Sequence, residues 1–253
     1  MARETYFEMI RYARSKHIWV RTTTNASLLH LQENYKKLID SGVNEVQISI
    51  DGASKETFEK IRRGSRFERV IENCKLINGY CAQRNLLRTR MWIVVQKDNV
   101  HEFLDFVDLG HTLGFRRLSY ALNLTDWAQQ KWTGPIQEMT VEDSVSPGLA
   151  QKGIKRGTEL DLDVSFWNIT AKYSTKTPEH LCPWPFERAY ISSDMKIVPC
   201  CMIANPDVLQ LGDAHDLTGN WNGQRMMSFR KMHLQGKIPK LCQSCYVSDS
   251  TGK

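Results

Sequence analysis

The stretch VNEVQISIDG, residues 43–52, decides the fold predicted for this chain. Residues 46–50 are rich in β-branched side chains, which is typical of a buried strand, and the turn pair Asp51-Gly52 ends that strand. Apolar residues recur at helical spacing over residues 28–39 and stop before Gly42, so a helix precedes the strand. A helix that leads into a buried strand is the repeating unit of an α/β fold.

The same alternation continues on both sides of this stretch. Strands separated by helices of this length predict right-handed βα units, and therefore a parallel sheet or a barrel. The further predicted elements are a helix at 5–16, a strand at 18–24, a helix carrying Cys74, a strand at 91–95, a helix at 100–113 closed by Gly114, and a strand at 117–122.

From residue 125 to residue 180 the periodicity fades into a segment with scattered Pro and Gly residues and mixed charge. We expect a domain connection there, which either covers a substrate or is a partly disordered linker. The predicted organisation is a partial βα barrel over 1–124, a connecting region over 125–180 and a small cysteine-rich domain over 181–253.

The composition, with 41% hydrophobic and 25% charged residues, is that of a soluble globular protein. No apolar run is long enough to span a bilayer. Glu4 and Glu8 interrupt the basic N-terminus, which argues against a secretory signal or a transit peptide. We therefore expect a cytoplasmic protein without a membrane partner. The net charge of +6 is spread along the chain, so a solvated surface explains it better than nucleic-acid binding does.

Ligands of such folds bind beyond the carboxyl ends of the strands, where this chain carries small polar residues. These residues could orient a polar ligand, although turn formation and packing explain them equally well. They are Thr24, Asn25, Ser49, Asp51, Gln96, Lys97 and Asn123. The chain has no G-x-G-x-x-G motif, no P-loop and no H-E-x-x-H motif, so no nucleotide loop is indicated.

Seven cysteines in a reducing compartment do not indicate a disulfide framework, and their odd number argues further against one. Cys74 and Cys81 share a helix face with apolar residues, so we expect both to be buried in the core. The other five fall in the last third of the chain, at Cys182, Cys200, Cys201, Cys242 and Cys245.

The pair Cys242 and Cys245 forms a C-x-x-C, which can hold one metal centre with two thiolates that select zinc or an iron–sulfur cluster. Successive side chains on a strand point to opposite faces. If the segment before them is extended, only one of Cys200 and Cys201 is therefore a ligand. Four thiolates would then form one site, adequate for a 4Fe-4S cluster or for zinc: Cys182, one of Cys200 and Cys201, Cys242 and Cys245.

Four segments resemble a radical S-adenosylmethionine (radical SAM) enzyme with a C-terminal SPASM-type iron–sulfur domain. The segments are TTTNASLL (22–29), VNEVQISIDGASKETFEKIRRGSRFERVIENCKLI (43–77), CPWPFERAYISSDMKIVPCC (182–201) and WNGQRMMSFRKMHLQGKIPKLCQSC (221–245). The resemblance implies a partial (β/α) barrel in which Asn25, Ser49 and Asp51 surround S-adenosylmethionine. It also implies one auxiliary 4Fe-4S cluster, held by Cys182, Cys200 or Cys201, Cys242 and Cys245. It identifies no catalytic residue.

The sequence departs from that family near its start. The C-x-x-x-C-x-x-C loop, which holds the cluster for S-adenosylmethionine, is absent, and so is the glycine-rich motif after the second strand. Met1 falls where an internal residue of the second helix is expected, so we expect the chain to be truncated at its N-terminus. A single C-x-x-C near the end favours one auxiliary cluster over two.

The resemblance implies an enzyme that modifies an unknown peptide or small metabolite by radical chemistry, with an electron donor as a further partner. The chain as given lacks the loop, so we expect it to be inactive in this form. Two alternatives stay open. One is a non-catalytic iron–sulfur protein that binds or transfers electrons, and the other is a βα scaffold with a structural zinc site.

Overall fold

The computed structural model of the chain describes residues 4–141, 144–168 and 171–247. The chain divides into two compact units, of which the first is Met1–Leu124 with Met139–Asn168 and the second is Thr125–Glu138 with Ile169–Lys253. Among the described residues, no helix has the length and apolar character needed to cross a membrane.

The first unit is an α/β fold on a five-stranded parallel sheet, as predicted, and strand order in the sheet equals chain order. Every crossover therefore moves in the same direction, and right-handed crossovers place the intervening helices on one face, as in a segment of a βα barrel. The strands are β1 (Arg21–Thr24), β2 (Glu45–Ser49), β3 (Thr89–Val94), β4 (Arg117–Ala121) and β5 (Asp163–Trp167). The helices are α1 (Glu4–Ser15), α2 (Asn34–Asp40), α3 (Lys55–Ile61), α4 (Phe67–Gln83), α5 (Asp105–Thr112) and α7 (Pro147–Glu159); α6 (Gln130–Met139) belongs to the second unit except for Met139.

One face of this sheet is apolar and the other is polar. Ile48 on β2 pairs with Met91 on β3, and Met91 pairs with Leu118 on β4; all three side chains are fully buried. The neighbouring strand positions point to the opposite face and are mostly polar, as at Gln47 and Arg90, which pair with each other, although Trp92 and Trp167 also lie on that face. The core of the unit therefore lies between the sheet and its helices, and a polar face is left on the other side.

Several expectations about the first unit are confirmed. Gly42 and Gly114 end α2 and α5 with φ angles of +87° and +80°, a left-handed conformation that glycine adopts without strain. Cys74 and Cys81 are buried on α4, at 0% and 3% exposure. Burial raises the pKa of the Cys74 thiol to about 12, so this thiol is inert at neutral pH.

The described part of residues 125–180 contains regular structure that the sequence pattern did not reveal. The Ser146 hydroxyl accepts a hydrogen bond from the Leu149 N–H and caps α7, whose first residue is Pro147. β5 then pairs with β4 as the fifth strand of the sheet. β5 is an edge strand without a fully buried residue, so its sequence lacks the apolar run of a central strand. The three domain ranges given above stay a prediction.

The second unit has a small core made of Ile197, Leu211, Met226 and Phe229. So few buried apolar side chains stabilise a domain weakly, and a metal centre that joins separate segments would add to its stability. Its described elements are the antiparallel sheet of β6 (Tyr190–Ile191), β7 (Lys196–Val198) and β8 (Gly212–Asp213), the helices α8 (Trp184–Glu187), α9 (Leu217–Trp221) and α10 (Gln224–Leu234), and a 3-10 helix (Lys240–Cys245).

Candidate metal centre

Five cysteines of the second unit lie on three separate segments. Cys182 precedes α8, Cys200 and Cys201 follow β7, and Cys242 and Cys245 lie on the 3-10 helix. All five thiols are free and partly buried. We call these five residues the thiol group.

The members of the thiol group lie within electrostatic reach of one another. Cys242 interacts with Cys182, Cys200 and Cys245. Cys201 interacts with Cys245 and with Cys200, which in turn interacts with Cys182. In residues 4–141, 144–168 and 171–247, no three His, Cys, Asp or Glu side chains converge closely enough to hold a single metal ion. The fold therefore gathers all five predicted thiols into one region without packing them around one point.

The two adjacent cysteines have different surroundings. The Ile203 N–H donates to the Cys200 carbonyl at 3.1 Å, and the backbone N–H groups of Met202 and Ile203 oppose the rise that burial causes in the pKa of Cys200. For Cys201, the backbone N–H of its own residue opposes the rise in pKa that burial causes. Backbone N–H groups directed at a sulfur stabilise the thiolate form, which is the form that binds metal.

Without a metal, the thiols of Cys182, Cys200, Cys201 and Cys242 are protonated at neutral pH. Burial raises the pKa of Cys200 to about 11 and the pKa of Cys242 to about 12, and the neighbouring thiols add to both shifts. Burial also raises the pKa of Cys182 and of Cys201. The positive charge of bound iron or zinc would offset this cost, because a coordinating thiol is deprotonated outright.

The donor set fits an iron–sulfur cluster better than it fits one zinc ion. Zinc holds four sulfurs at about 2.3 Å, which requires them to touch one another around one point. A 4Fe-4S cluster takes one thiolate at each of its iron atoms, so its ligand sulfurs stand further apart. The thiol group, close enough to interact but not converged, matches the second arrangement.

The first unit places the three other predicted site residues near the carboxyl ends of β1 and β2. Asn25 follows β1 and is exposed, and its side-chain oxygen accepts a hydrogen bond from the Ser27 N–H at 3.1 Å. Ser49 ends β2 and pairs with Trp92 of β3. The Ser49 hydroxyl and the Asn25 amide N–H make no hydrogen bond within the described residues. Both groups are therefore available to a ligand.

The carboxylate of Asp51 is already engaged within the fold. One oxygen accepts hydrogen bonds from Arg62, with Nε at 2.7 Å and Nη2 at 2.5 Å, and the other accepts from the Val94 N–H at 2.8 Å. Burial raises the pKa of Asp51, while the charge of Arg62 and the Val94 N–H oppose that rise. Asp51 thus holds the end of β2 against β3 and α3. Because its carboxylate is engaged in these bonds, it is better placed to position the strand end than to contact a ligand.

Two buried residues that the sequence pattern did not single out complete this support. Asn99 donates to the carbonyl oxygens of Asp51 at 3.0 Å and Val94 at 2.9 Å. Glu102 accepts from the Ala53 N–H at 2.7 Å. Asn99 comes three residues after Gln96, and the Asn99 side chain accepts from the Gln96 N–H, a local pattern typical of turns that a sequence can reveal.

Arg62→Met is expected to destabilise the first unit by about 3 kcal/mol, because the Asp51 carboxylate, 5% exposed, loses its cation. Urea unfolding followed by circular dichroism measures the change. Lys60→Met is the control, since Lys60 pairs with Asp98 at the surface, is 61% exposed and should cost less than about 1 kcal/mol. Equal effects of the two substitutions would contradict the role given to Asp51.

Two family models match the chain. Residues 1–110 match the radical SAM superfamily, and residues 182–246 match SPASM, an iron-sulfur cluster-binding domain. The first range contains Asn25, Ser49 and Asp51, and the second contains the complete thiol group.

Curated relatives match over shorter stretches. The molybdenum cofactor biosynthesis protein moc-5 of Caenorhabditis elegans is 34% identical over 90 residues, which are 36% of this chain and 14% of that protein. A probable GTP 3',8-cyclase of Saccharolobus islandicus is 31% identical over 99 residues, which are 39% of this chain and 30% of that protein. The chain thus spans less than a third of either relative.

Solved structures share the fold over nearly the whole chain. The crystal structure of Streptococcus suis SuiB has a TM-score of 0.65 at 15% identity, over 98% of this chain and 63% of SuiB. The enzyme anSMEcpe with bound AdoMet has a TM-score of 0.55 at 15% identity, over 96% of this chain and 70% of that one. Both families whose models match bind 4Fe-4S clusters. Residues 1–110 of this chain thus match the radical SAM superfamily, and residues 182–246 match a SPASM iron–sulfur cluster-binding domain.

Proposed function

We propose that this chain is the cluster-binding part of a radical SAM enzyme that modifies a peptide. The observation that carries the proposal is the thiol group, five free and partly buried cysteines gathered inside the range that matches SPASM. Four of them hold one auxiliary 4Fe-4S cluster, namely Cys182, Cys200, Cys242 and Cys245.

Cys200 is chosen over Cys201 because of its hydrogen bonds. Two backbone N–H groups, of Met202 and Ile203, lower the pKa of Cys200 against the larger effect of burial and so favour its thiolate. Cys200 also interacts with both Cys182 and Cys242. Cys201 is then a fifth thiol beside the cluster and not a ligand.

The strand-end residues of the first unit serve S-adenosylmethionine in a form of the protein that carries the C-x-x-x-C-x-x-C loop. When bound, S-adenosylmethionine and its cluster supply the one-electron chemistry that starts a radical reaction. Ser49 and Asn25 offer a free hydroxyl and a free amide N–H to this ligand. Asp51 keeps the end of β2 in place through Arg62 and Val94.

A peptide is the substrate class that the similar structures support. SuiB has been solved with its precursor peptide SuiA, and that complex has a TM-score of 0.64 at 19% identity to this chain. An electron donor is the second partner, because an auxiliary cluster is suited to electron transfer. We place the protein in the cytoplasm, where its seven free cysteines stay reduced.

Cys200→Ser is expected to lose nearly all cluster iron, whereas Cys201→Ser is expected to keep it. Iron and acid-labile sulfide per chain, with the visible absorption of anaerobically purified protein, measure the result. The two variants are matched, because the substitution is the same and the positions are adjacent. Loss in Cys201→Ser with retention in Cys200→Ser would reverse the assignment, and colourless protein with stoichiometric zinc would overturn the function.

A further inference from the structure

A hydrogen-bonded chain of three residues reaches Cys182 from outside the thiol group. The Cys182 N–H donates to the Tyr246 hydroxyl oxygen at 3.0 Å. The same hydroxyl lies 2.8 Å from Nδ1 of His233. His233 lies on α10, is 1% exposed and packs against the rings of Phe229 and Tyr246. None of these contacts was indicated by the spacing of the cysteines.

The positions of the His233 ring proton and the Tyr246 hydroxyl proton can be assigned by counting donors and acceptors. Nε2 of His233 is buried and has no hydrogen-bond partner within the described residues. If Nδ1 carried the ring proton and donated to Tyr246, both Nε2 and the Tyr246 O–H would lack partners. If Tyr246 instead donates to an unprotonated Nδ1, only the Nε2–H is left unpaired. Burial lowers the pKa of His233, in keeping with this neutral imidazole.

This arrangement fixes the direction of the Tyr246 hydroxyl. Its proton points to His233, so its oxygen lone pair is directed at the Cys182 N–H. A buried, unpaired Nε2–H costs about 1–3 kcal/mol, so the histidine is expensive to keep at this position. A leucine or phenylalanine would pack against Phe229 without that cost, but neither side chain could accept the Tyr246 proton.

The hydrogen bonds among His233, Tyr246 and Cys182 also join distant parts of the sequence. Tyr246 directly follows Cys245, and its partner Cys182 lies 64 positions earlier. The Tyr173 N–H donates to the Cys245 carbonyl at 3.1 Å, and the Val247 N–H donates to the Tyr173 carbonyl at 2.9 Å. The segments of the first and last thiols of the group are therefore held together independently of any bound metal.

We propose that His233 is a positioning residue for the auxiliary cluster, which acts by orienting the Tyr246 hydroxyl so that it holds the backbone of Cys182. The proposal rests on the proposed function, because it takes Cys182 as a cluster ligand. Partners behind a metal ligand fix the orientation of that ligand, and their loss typically costs about 10- to 100-fold in metal affinity. Within the described residues His233 hydrogen-bonds to Tyr246 and to no cysteine, so its effect on Cys182 passes through Tyr246.

The test uses the full chain, reconstituted anaerobically with iron and sulfide. The rate at which an iron chelator bleaches the visible absorption is measured for His233→Phe, Tyr246→Phe, the double variant and His233→Asn. Either single aromatic substitution is expected to accelerate bleaching about tenfold. The double variant should bleach no faster than Tyr246→Phe, because His233 has nothing left to orient. His233→Asn should restore slow bleaching, since an amide oxygen near the position of Nδ1 can accept the tyrosine proton.

A structural role in packing alone makes different predictions. In that case His233→Phe accelerates bleaching by the same factor in both backgrounds, or His233→Asn is as labile as His233→Phe, and either result overturns the proposal. The electron paramagnetic resonance spectrum of the reduced cluster is a second readout, expected to change alike in His233→Phe and Tyr246→Phe. His215→Phe removes a histidine that is 72% exposed in the same unit and should change neither readout.

Failure of the proposed function looks different from failure of this inference. If the reconstituted wild-type chain holds no iron, the function fails and the inference fails with it. If the wild-type chain holds iron and Cys200→Ser loses it, but all His233 variants bleach like the wild type, the inference alone is wrong. If His233→Phe does not fold, the other two variants still test the proposal. It requires fast bleaching of the cluster in Tyr246→Phe and slow bleaching in His233→Asn.

Discussion

Cys242→Ser and Cys245→Ser are each expected to lose nearly all cluster iron, while Cys74→Ala and Cys81→Ala stay fully loaded. Each of the four substitutions removes one cysteine sulfur, and the four cysteines lie in two different environments. Cys242 and Cys245 belong to the thiol group, and a 4Fe-4S cluster needs all four of its thiolates. Cys74 and Cys81 are packed within α4, so their loss removes only a small apolar contact.

The stability of the two units should separate the same variants. Cys74→Ala is expected to cost about 1 kcal/mol of unfolding free energy in the first unit and to leave iron unchanged. The two serine variants should instead lower the thermal stability of the second unit, whose core holds few apolar residues. Iron per chain and calorimetry of each variant measure both effects. Full iron in Cys242→Ser, or complete loss in Cys74→Ala, would contradict this sorting of the cysteines.

Much of the first unit could be predicted from the sequence because its patterns are local. A β-branched run such as residues 46–50 and a helix stop such as Gly42 each report a conformation set by near neighbours. The sequence pattern did not predict β5, because an edge strand without a fully buried residue has no apolar run. Its partner β4 has four buried residues in succession, and it was found.

The sequence names the members of the candidate sites, but it does not separate their roles. The order and spacing of cysteines were enough to name the thiol group, because few other residues bind soft metals. Whether Cys200 or Cys201 is the ligand depends on where the N–H groups of the next turn point, which sequence spacing does not report. The placement of Asp51 around S-adenosylmethionine stays a prediction, and the sequence did not indicate that its carboxylate binds Arg62, eleven residues later. Long-range pairs of this kind exist only in the folded chain.

The second large effect concerns activity. A polypeptide of residues 1–253, reconstituted with iron and sulfide under a strong reductant, is expected to form no 5′-deoxyadenosine above background. The first cysteine in this sequence is Cys74, and both Cys74 and Cys81 are buried thiols whose pKa is raised by burial. The region of Asn25 and Ser49 therefore has no thiolates of its own with which to hold a cluster for S-adenosylmethionine.

The auxiliary cluster cannot take over this role if four cysteines hold it, because each iron atom then has a protein thiolate and no position is open to S-adenosylmethionine. Liquid chromatography of the products over several hours measures 5′-deoxyadenosine, and a longer form that carries a C-x-x-x-C-x-x-C loop is the positive control. Robust product from residues 1–253 that disappears in Cys182→Ala would place the chemistry at the thiol group. The cluster would then have three protein ligands and one open iron, and the four-ligand assignment would be wrong.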